Sequence, residues 1–253
     1  MTSSDSREIF ARAMRTSRSS ALIPGTTPVI SFGDFTRAHV ATLGINPSSK
    51  EFLTGHAKPR LIPDVEKKRL EDFESLGIKS SSQIGEFEAA RIWSGCQNYF
   101  LNNPYHWFNH FLPILANFEA SYFDGSACHL DLVQSATSPV WGGLTKRQQV
   151  ALLDEDLDFF RFQSAQPNIR VRLVNGRTAI NQIRDLGICD LMEDRPILVQ
   201  TTSGQVKCST FVGRGELDEL VLAWSANIPS LRGSNALKVA AAKKIGAWAA
   251  SVN

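Results

Sequence analysis

The sequence predicts an α/β fold with a mostly parallel central sheet and helices on both faces. One observation is a series of short apolar runs that end in turn residues. Another is that most of these runs are followed by a segment with apolar residues at helical spacing. With 43% hydrophobic and 21% charged residues, the 253-residue chain has enough apolar material for a sizeable core. No linker-like stretch interrupts the pattern, so we expect a single domain over residues 28–253.

The predicted strands are short and rich in valine, isoleucine and leucine. They are Pro28–Phe32, His39–Gly44, Cys128–Val133, Val171–Val174, Ile197–Thr201, Gln205–Phe211 and Glu219–Trp224. The fifth and sixth strands predict an edge hairpin. The predicted helices carry apolar or aromatic residues at near-helical spacing. They are Glu66–Leu76, Phe87–Phe100, Trp107–Phe118, Lys146–Phe160, Thr178–Leu186 and Ser234–Ser251.

Residues 1–27 are expected to form an N-terminal extension with a short surface helix. This segment is rich in arginine and serine like a transit peptide, but Asp5, Glu8 and the lack of an apolar centre argue against one. No apolar run approaches the roughly 18 residues that a membrane span needs. We therefore expect a cytoplasmic protein without a membrane partner.

Composition also bears on metals and partners. The four cysteines are scattered without a C-x-x-C pair, and His106 and His110 lack the glutamate of a zinc-binding helix. The sequence therefore predicts no metal site. A net charge of +2 permits nucleic-acid binding through a local basic patch without requiring it.

Three of the predicted strand ends carry polar residues. They are Gly44–Ser49, Asp131–Thr137 and the loop within Ala223–Asn235. In open parallel sheets, ligands bind beyond the carboxyl ends of the strands. We therefore expect these three segments to face one crevice.

Three motifs in order resemble those of the uracil-DNA glycosylase superfamily. Gly44-Ile-Asn-Pro47 resembles the first motif, and Ile228-Pro-Ser-Leu-Arg232 resembles the second. Between them, Leu130–Gln134 stands where the family has a strand-end asparagine that reads the pyrimidine edge. The resemblance spans roughly residues 28–250. It implies a monomeric, cofactor-independent DNA glycosylase that hydrolyses the N-glycosidic bond of uracil, or a related deaminated base, flipped out of DNA.

The resemblance also implies catalytic roles. Asn46 matches the residue that orients the attacking water through its side-chain carbonyl oxygen. Ile228 replaces the residue that donates a hydrogen bond to the leaving base, so Asn227 becomes the candidate donor. A histidine from another segment is the alternative, and the candidates are His56, His106 and His110. The structural alternative is that Asn46 is a turn residue before Pro47.

The base pocket is predicted from residues near the first two motifs. Ile45, Ser48, Phe52 and Asp131 are the candidates, with Ser49 as a further donor and Trp107 as a rival to Phe52 for stacking. Asp131 departs from the family pattern, because an ionised carboxylate only accepts hydrogen bonds. Asp131 either stays protonated, selects a base with an amino group, or caps nearby backbone amides instead of reading the base.

The second motif predicts the DNA-binding loop. Its candidate residues are Pro229, Ser230, Leu231, Arg232, Gly233 and Ser234. Arg232 stands where relatives place an apolar wedge, and its planar guanidinium can fill the vacated base position. Ser234 is a candidate N-cap for the last helix, whose N-terminus would then point toward DNA phosphates, with Lys238 adding charge.

Two other functions compete with the enzyme. Ile228 and Asp131 favour a catalytically weak or inactive protein with the glycosylase fold that binds damaged or single-stranded DNA. An unrelated α/β hydrolase or nucleotide-binding protein ranks last, because the sequence has no P-loop, G-x-G-x-x-G or G-x-S-x-G motif.

Overall fold

A computed structural model describes residues 3–15, 17, 19–54, 60–63, 67–102 and 104–252. It confirms the predicted α/β class and the mostly parallel sheet. The strands are β1 (Val40–Gly44), β2 (Ala127–Asp131), β3 (Val171–Asn175), β4 (Met192–Glu193), β5 (Ile197–Thr201), β6 (Gly204–Cys208), β7 (Thr210–Arg214) and β8 (Leu220–Trp224). The helices are α1 (Ser3–Met14), α2 (Phe73–Leu76), α3 (Glu86–Gln97), α4 (Leu112–Leu115), α5 (Lys146–Ser164), α6 (Arg177–Asp185) and α7 (Asn235–Ala250).

The six-stranded sheet has the order β2-β1-β3-β8-β7-β4. Strand β3 runs parallel to β1 and to β8, whereas β7 runs antiparallel to β8 and to β4. Every residue of β3 and β8 is buried, as expected for strands inside a parallel sheet that is covered on both faces. Strands β5 and β6 form a separate two-stranded antiparallel ribbon.

The chain forms two compact units, each built from separate stretches of sequence. The first unit comprises Met1–Arg37, Ile45–Tyr105 and His129–Ser164. In it, α1 packs against α3. The second unit comprises Ala38–Gly44, His106–Cys128 and Ala165–Asn253. In it, α6 packs against β3 and β8, and α7 packs against α4 and β5.

Local signals placed most elements correctly. The prediction for Ser234–Ser251 is confirmed as α7, where the Ser234 hydroxyl oxygen accepts the Leu237 N–H at 3.4 Å. Helix α5 begins after Thr145, whose hydroxyl accepts the Gln148 N–H while the Gln148 side chain accepts the Thr145 N–H.

Two predicted elements are shorter than expected. The predicted strand Pro28–Phe32 forms only a bridge between Phe32 and His129, although the Val29 N–H also donates to the Gln134 carbonyl at 2.7 Å. The prediction of a helix over Glu66–Leu76 is wrong for most of the residues in this range that the structure describes. Asp72 caps α2 by accepting the Ser75 N–H, so this helix begins only at Phe73; Glu66 lies outside the described residues.

Two other predicted elements are divided. The predicted helix Trp107–Phe118 consists of a 3₁₀ helix (His106–Phe111), α4 and a 3₁₀ turn (Ala116–Phe118). Pro113 lies in the first turn of α4, where its missing N–H is tolerated. The second strand of the predicted hairpin breaks at Ser209, so that β6 pairs with β5 while β7 joins the six-stranded sheet.

The predicted N-terminal helix exists as α1, but it is not simply a surface helix. Ile9 and Ala13 are completely buried, and Arg12 is 3% exposed. One side of α1 is therefore part of the core of the first unit. No helix within the described residues is long and apolar enough to cross a membrane.

Candidate functional site

The first-motif loop (Ile45–Glu51) belongs to the first unit and is shaped by backbone and side-chain hydrogen bonds. The Ile45 carbonyl accepts the Val133 N–H at 2.8 Å, which ties the loop to the segment that follows β2. The Ser48 hydroxyl oxygen accepts the Lys50 N–H at 3.2 Å and so caps the 3₁₀ turn Ser49–Glu51. This bond accounts for the serine at position 48 without reference to a base or a phosphate.

Asn46 is held in this loop through the nitrogen of its side-chain amide. Its Nδ2 donates to the carbonyls of Pro47 (3.3 Å) and Ser135 (3.4 Å) and lies 3.2 Å from the Thr137 hydroxyl. The planar amide therefore directs its carbonyl oxygen away from these three acceptors. Asn46 is partly exposed, so solvent reaches this side chain.

Asp131 ends β2 within the first unit and is 5% exposed. Its Oδ1 lies 3.3 Å from the Nε2 of His129, two residues earlier on the same strand. The Gln134 side chain donates to the Asp131 backbone carbonyl at 2.9 Å. Asp131 thus has a polar partner on its own strand.

A buried ion pair supports the segment after β2, and sequence reasoning missed it. Arg12 and Asp156 approach within 2.6 Å, and both side chains are 3% exposed. Gln134 joins them, since its Oε1 accepts from Arg12 at 3.1 Å and its N–H donates to Asp156 at 2.7 Å. The ion pair therefore helps to fix the position of Gln134, which bonds in turn to Asp131.

Glu51 is a second residue that sequence reasoning missed. It is 2% exposed, and its Oε2 accepts the Tyr99 hydroxyl at 2.8 Å. The pKa of Glu51 is raised to about 7, with burial as the largest cause; the nearby Asp131 also raises it, whereas the Tyr99 hydrogen bond and Arg69 lower it. Burial and the Glu51 charge also raise the pKa of Tyr99, so the phenol keeps its proton. The only sequence signal was an acidic residue close to the first motif.

The two aromatic candidates for stacking both pack inside their own units. Phe52 is 2% exposed in the first unit. Trp107, in the second unit, has its ring centroid 5.1 Å from that of Phe108 and 4.9 Å from that of Phe111. Core packing explains both residue types, and a role in stacking stays a prediction for each.

The second-motif loop (Ser225–Ser234) follows β8 in the second unit and depends on Asn175 at the end of β3. The Asn175 Oδ1 accepts the Trp224 indole N–H at 3.0 Å and the Ile228 backbone N–H at 3.3 Å. Ile228 is completely buried, so its side chain anchors the loop in the core. Asn175 comes directly after the predicted strand Val171–Val174, and sequence reasoning did not single it out.

Asn227 is held through the oxygen of its side-chain amide, whereas Asn46 is held through the nitrogen. Its Oδ1 accepts the Asn175 Nδ2 at 3.2 Å, and the residue is exposed. The amide nitrogen therefore points away from Asn175, as a hydrogen-bond donor must if it is to reach a ligand.

The remainder of the second-motif loop has clear structural roles. Lys238 donates to the Pro229 carbonyl at 2.6 Å, so its ammonium group helps to hold the loop. Gly233 has φ = 143°, and a Cβ there would lie 2.8 Å from the Leu237 side chain. Ser230, Arg232 and Ser234 are exposed, and Leu231 is partly exposed. Their arrangement gives an accessible loop that carries one cationic side chain, Arg232.

The three histidines proposed as substitute donors differ in position. His56 lies outside the described residues. His106 and His110 lie on the 3₁₀ helix His106–Phe111, which contacts the turn Ile228–Ser230 within the second unit. His110 donates through Nδ1 to the Trp107 carbonyl at 3.0 Å, whereas His106 is exposed, with its Nδ1 3.3 Å from the Asn109 amide nitrogen.

The chain matches no protein-family model, and no curated protein matches its sequence. Within the described part of the chain, no three histidine, cysteine, aspartate or glutamate side chains form a group that could hold a metal ion.

Proposed function

We propose that this protein is a DNA glycosylase of base-excision repair that acts on uracil or a related deaminated base. The observation that carries the proposal is the fixation of Asn46. Its amide nitrogen is bound to three acceptors, which leaves the carbonyl oxygen directed elsewhere as an acceptor for a water molecule. The motif in which Asn46 lies is the one that resembles the water-orienting motif of the uracil-DNA glycosylase superfamily.

The reaction needs little more than positioned water and a donor for the departing base. As the N-glycosidic bond breaks, positive charge develops on the sugar and negative charge develops on the base. Asn46 orients the water that adds to the sugar carbon. Asn227 supplies an N–H to the base anion, a role supported by the binding of its carbonyl oxygen to Asn175.

Asp131 is proposed to read the base edge, within a pocket that includes Ile45, Ser48 and Phe52. The Asp131 carboxyl group, whose Oδ1 lies 3.3 Å from the His129 Nε2, offers acceptor oxygens toward a base. An acceptor favours bases that present an N–H or amino group.

DNA contact is assigned to the exposed part of the second-motif loop. Arg232 fills the position that the flipped nucleotide vacates, and Ser230 and Ser234 contact phosphates. The proposal includes the predicted monomeric state and cytoplasmic location.

A second candidate function is a protein that binds damaged or single-stranded DNA without cleaving it. The observation that favours it is Ile228, which is completely buried and apolar at the position where the superfamily has a hydrogen-bond donor. This protein would retain the loop that contacts DNA but lack efficient stabilisation of the leaving base.

A cleavage assay separates the two functions. The protein is incubated with single- and double-stranded oligonucleotides that contain uracil, hypoxanthine or xanthine, and hot alkali then converts abasic sites into strand breaks. We expect breaks at the position of at least one of these bases. Tight binding with no break on any substrate, at stoichiometric protein, would support the binding function and exclude the enzyme.

A further inference from the structure

A cavity of about 330 Å³ lies within the first unit, and the roles assigned above do not use it. Its walls come from the end of α1, the loop of residues 19–28, the start of α2, Ser81 and Ser135. The volume lies at the lower end of the range found for small-molecule sites. The cavity is therefore large enough for a ligand, and the residues around it indicate which kind.

The lining of this cavity is cationic and rich in hydroxyl groups. Arg12 and Arg15 line it, together with seven serine and threonine residues. Among the described residues of the lining, none is an aspartate or a glutamate. Guanidinium groups and hydroxyls donate hydrogen bonds, and a phosphate group accepts them through several oxygens. The composition of the lining thus favours an oxyanion over a cation or an apolar ligand.

Arg12 gives the cavity a fixed, buried guanidinium group. The residue is 3% exposed, its Nε donates to Gln134 at 3.1 Å, and its Nη2 lies 2.6 Å from Asp156. These two contacts hold the guanidinium plane and do not use Nη1. Asp156 is not part of the lining, so a ligand in the cavity meets the arginine and not its carboxylate partner.

Arg15 adds a second positive charge one turn after Arg12. Its backbone N–H donates to the Arg12 carbonyl at 3.2 Å, and its Nη1 donates to the Glu155 carbonyl at 2.6 Å. Burial is the main cause that lowers the pKa of Arg12, and the charge of Arg15 lowers it too. An anion bound between the two arginines would offset this repulsion.

The walls of the cavity are tied to the rest of the first unit. The Ile23 N–H donates to the Ala136 carbonyl at 3.2 Å, which joins the loop of residues 19–28 to the segment after β2. The Phe73 N–H donates to the Gly25 carbonyl at 2.8 Å, which joins the same loop to α2. A site that is already formed binds a ligand without the cost of ordering its own loop.

We propose that this cavity, the arginine pocket, binds a phosphate group. Its volume leaves room for a sugar attached to the phosphate. Ser135 lines the pocket, and its carbonyl also accepts the Asn46 Nδ2 at 3.4 Å, so the pocket borders the first-motif loop. The phosphate group belongs either to the DNA backbone or to a free small molecule. The inference goes beyond the proposed function, because it does not require base excision.

The test is calorimetric titration of the full chain with inorganic phosphate and with 2-deoxyribose 5-phosphate, at constant ionic strength. We expect saturable binding to wild type. Arg15→Gln should weaken it about 10-fold, because a charge-assisted hydrogen bond is lost. Arg15 is exposed, so this variant keeps the buried Arg12–Asp156 pair. Absence of saturable binding to wild type would overturn the proposal.

Arg147→Gln is the matched control for Arg15→Gln. Arg147 is exposed on α5, belongs to the same unit and does not line the pocket. Its replacement removes the same charge from the protein, and the affinity for phosphate should stay at the wild-type level. If both variants lose affinity equally, the effect comes from net charge, and the arginine pocket is not a phosphate site.

A second pair of variants tests the pocket from its opposite wall. Ser20 is exposed and lines the pocket. Ser20→Glu should weaken phosphate binding about 10-fold or more by like-charge repulsion, whereas the equally large but neutral Ser20→Gln should have a smaller effect. Equal affinities for these two variants would contradict the proposal, since the pocket would then not respond to charge.

Competition with DNA identifies the source of the phosphate group. If an undamaged single-stranded oligonucleotide displaces inorganic phosphate from wild type, the pocket takes a backbone phosphate. If the oligonucleotide and phosphate bind together, the ligand is a free phosphate compound. Either result keeps the arginine pocket as a phosphate site. The cleavage assay reports separately on the glycosylase, so failure of one proposal is distinguishable from failure of the other.

Discussion

The first-motif and second-motif loops each present one asparagine, and the two amides are held by opposite ends. Asn46 is bound through its nitrogen, by the carbonyls of Pro47 and Ser135 and by the Thr137 hydroxyl. Asn227 is bound through its oxygen, by the Asn175 amide. The same residue type is therefore prepared as an acceptor in one loop and as a donor in the other, because the fold decides which end of the amide is already used.

The two loops also differ in what they bury. The first-motif loop buries Glu51, an ionisable group, and the second-motif loop buries Ile228, an apolar one. A buried carboxyl group makes the properties of its loop depend on pH, whereas a buried isoleucine contributes packing energy alone. We therefore expect acid–base behaviour to arise from the first-motif loop.

The largest expected effect comes from removing each asparagine in turn. Asn46→Ala should slow excision about 100-fold to 1,000-fold, with uracil and with 5-fluorouracil alike, because an orienting group for water is lost with either base. Asn227→Ala should slow uracil excision similarly but 5-fluorouracil excision much less, since the better leaving base needs less stabilisation. Single-turnover rates on the two substrates measure the difference. Identical substrate dependence for both variants would refute the division into acceptor and donor.

The next effect is on stability and belongs to Glu51. Its pKa is about 7 in the folded protein, against 4.5 for an unperturbed glutamate, so the folded state binds the proton more tightly. The free energy of unfolding therefore falls as the pH rises from about 4.5 to about 7, by about 3 kcal/mol in total from this group. Glutamine does not ionise, so Glu51→Gln should remove this fall in the free energy of unfolding with rising pH.

Urea denaturation at pH 5 and at pH 8, which measures the free energy of unfolding, tests the prediction for Glu51. Relative to wild type, Glu51→Gln should be more stable at pH 8 than at pH 5, by up to about 3 kcal/mol. Glu86 is exposed, so the free energy of unfolding of Glu86→Gln relative to wild type should be nearly the same at pH 5 and at pH 8. If the free energies of unfolding of Glu51→Gln and wild type differ by the same amount at pH 5 and at pH 8, Glu51 does not titrate in this range.

The sequence predicted those parts of the fold that depend on neighbouring residues. Strand β8 was recognised from its own apolar run, and α7 from the Ser234 cap and the helical segment behind it. The division of the predicted hairpin at Ser209 depends on β8, a strand further along the chain, and could not be predicted locally.

In the candidate site, too, local motifs predicted some features, whereas others depend on contacts between distant residues. Asn46 and Asn227 were predicted from local motifs, but the end by which each amide is held depends on residues far along the chain. Glu51 acquires its properties from Tyr99, which lies 48 residues away, and Arg12 reaches Gln134 over 122 residues. Neither contact leaves a pattern in a short stretch of sequence, so the sequence did not reveal the roles of Glu51 and Arg12.

The smallest expected effect tests whether Asn175 determines the orientation of Asn227. In Asn175→Asp, the carboxylate still accepts from Trp224 and Ile228, but it offers no N–H to the Asn227 oxygen. Its negative charge lies next to the N-terminus of α6, which offsets part of the cost of burial. The Asn227 amide should then rotate to donate to the new carboxylate in a fraction of the molecules, so that the leaving base loses this donor only in part.

We expect Asn175→Asp to lower the excision rate about 5-fold to 10-fold, which corresponds to the loss of about one hydrogen bond of 1 kcal/mol. Its free energy of unfolding should stay within about 1 kcal/mol of wild type. Asn175→Ala is the matched variant, because it also leaves the buried Trp224 and Ile228 N–H groups without their acceptor and should cost about 1–3 kcal/mol of stability. Loss of activity in Asn175→Ala alone would show that Asn175 supports the loop without orienting Asn227. Loss in both variants, with stability kept only in Asn175→Asp, would establish that the exposed end of the Asn227 amide is what the reaction uses.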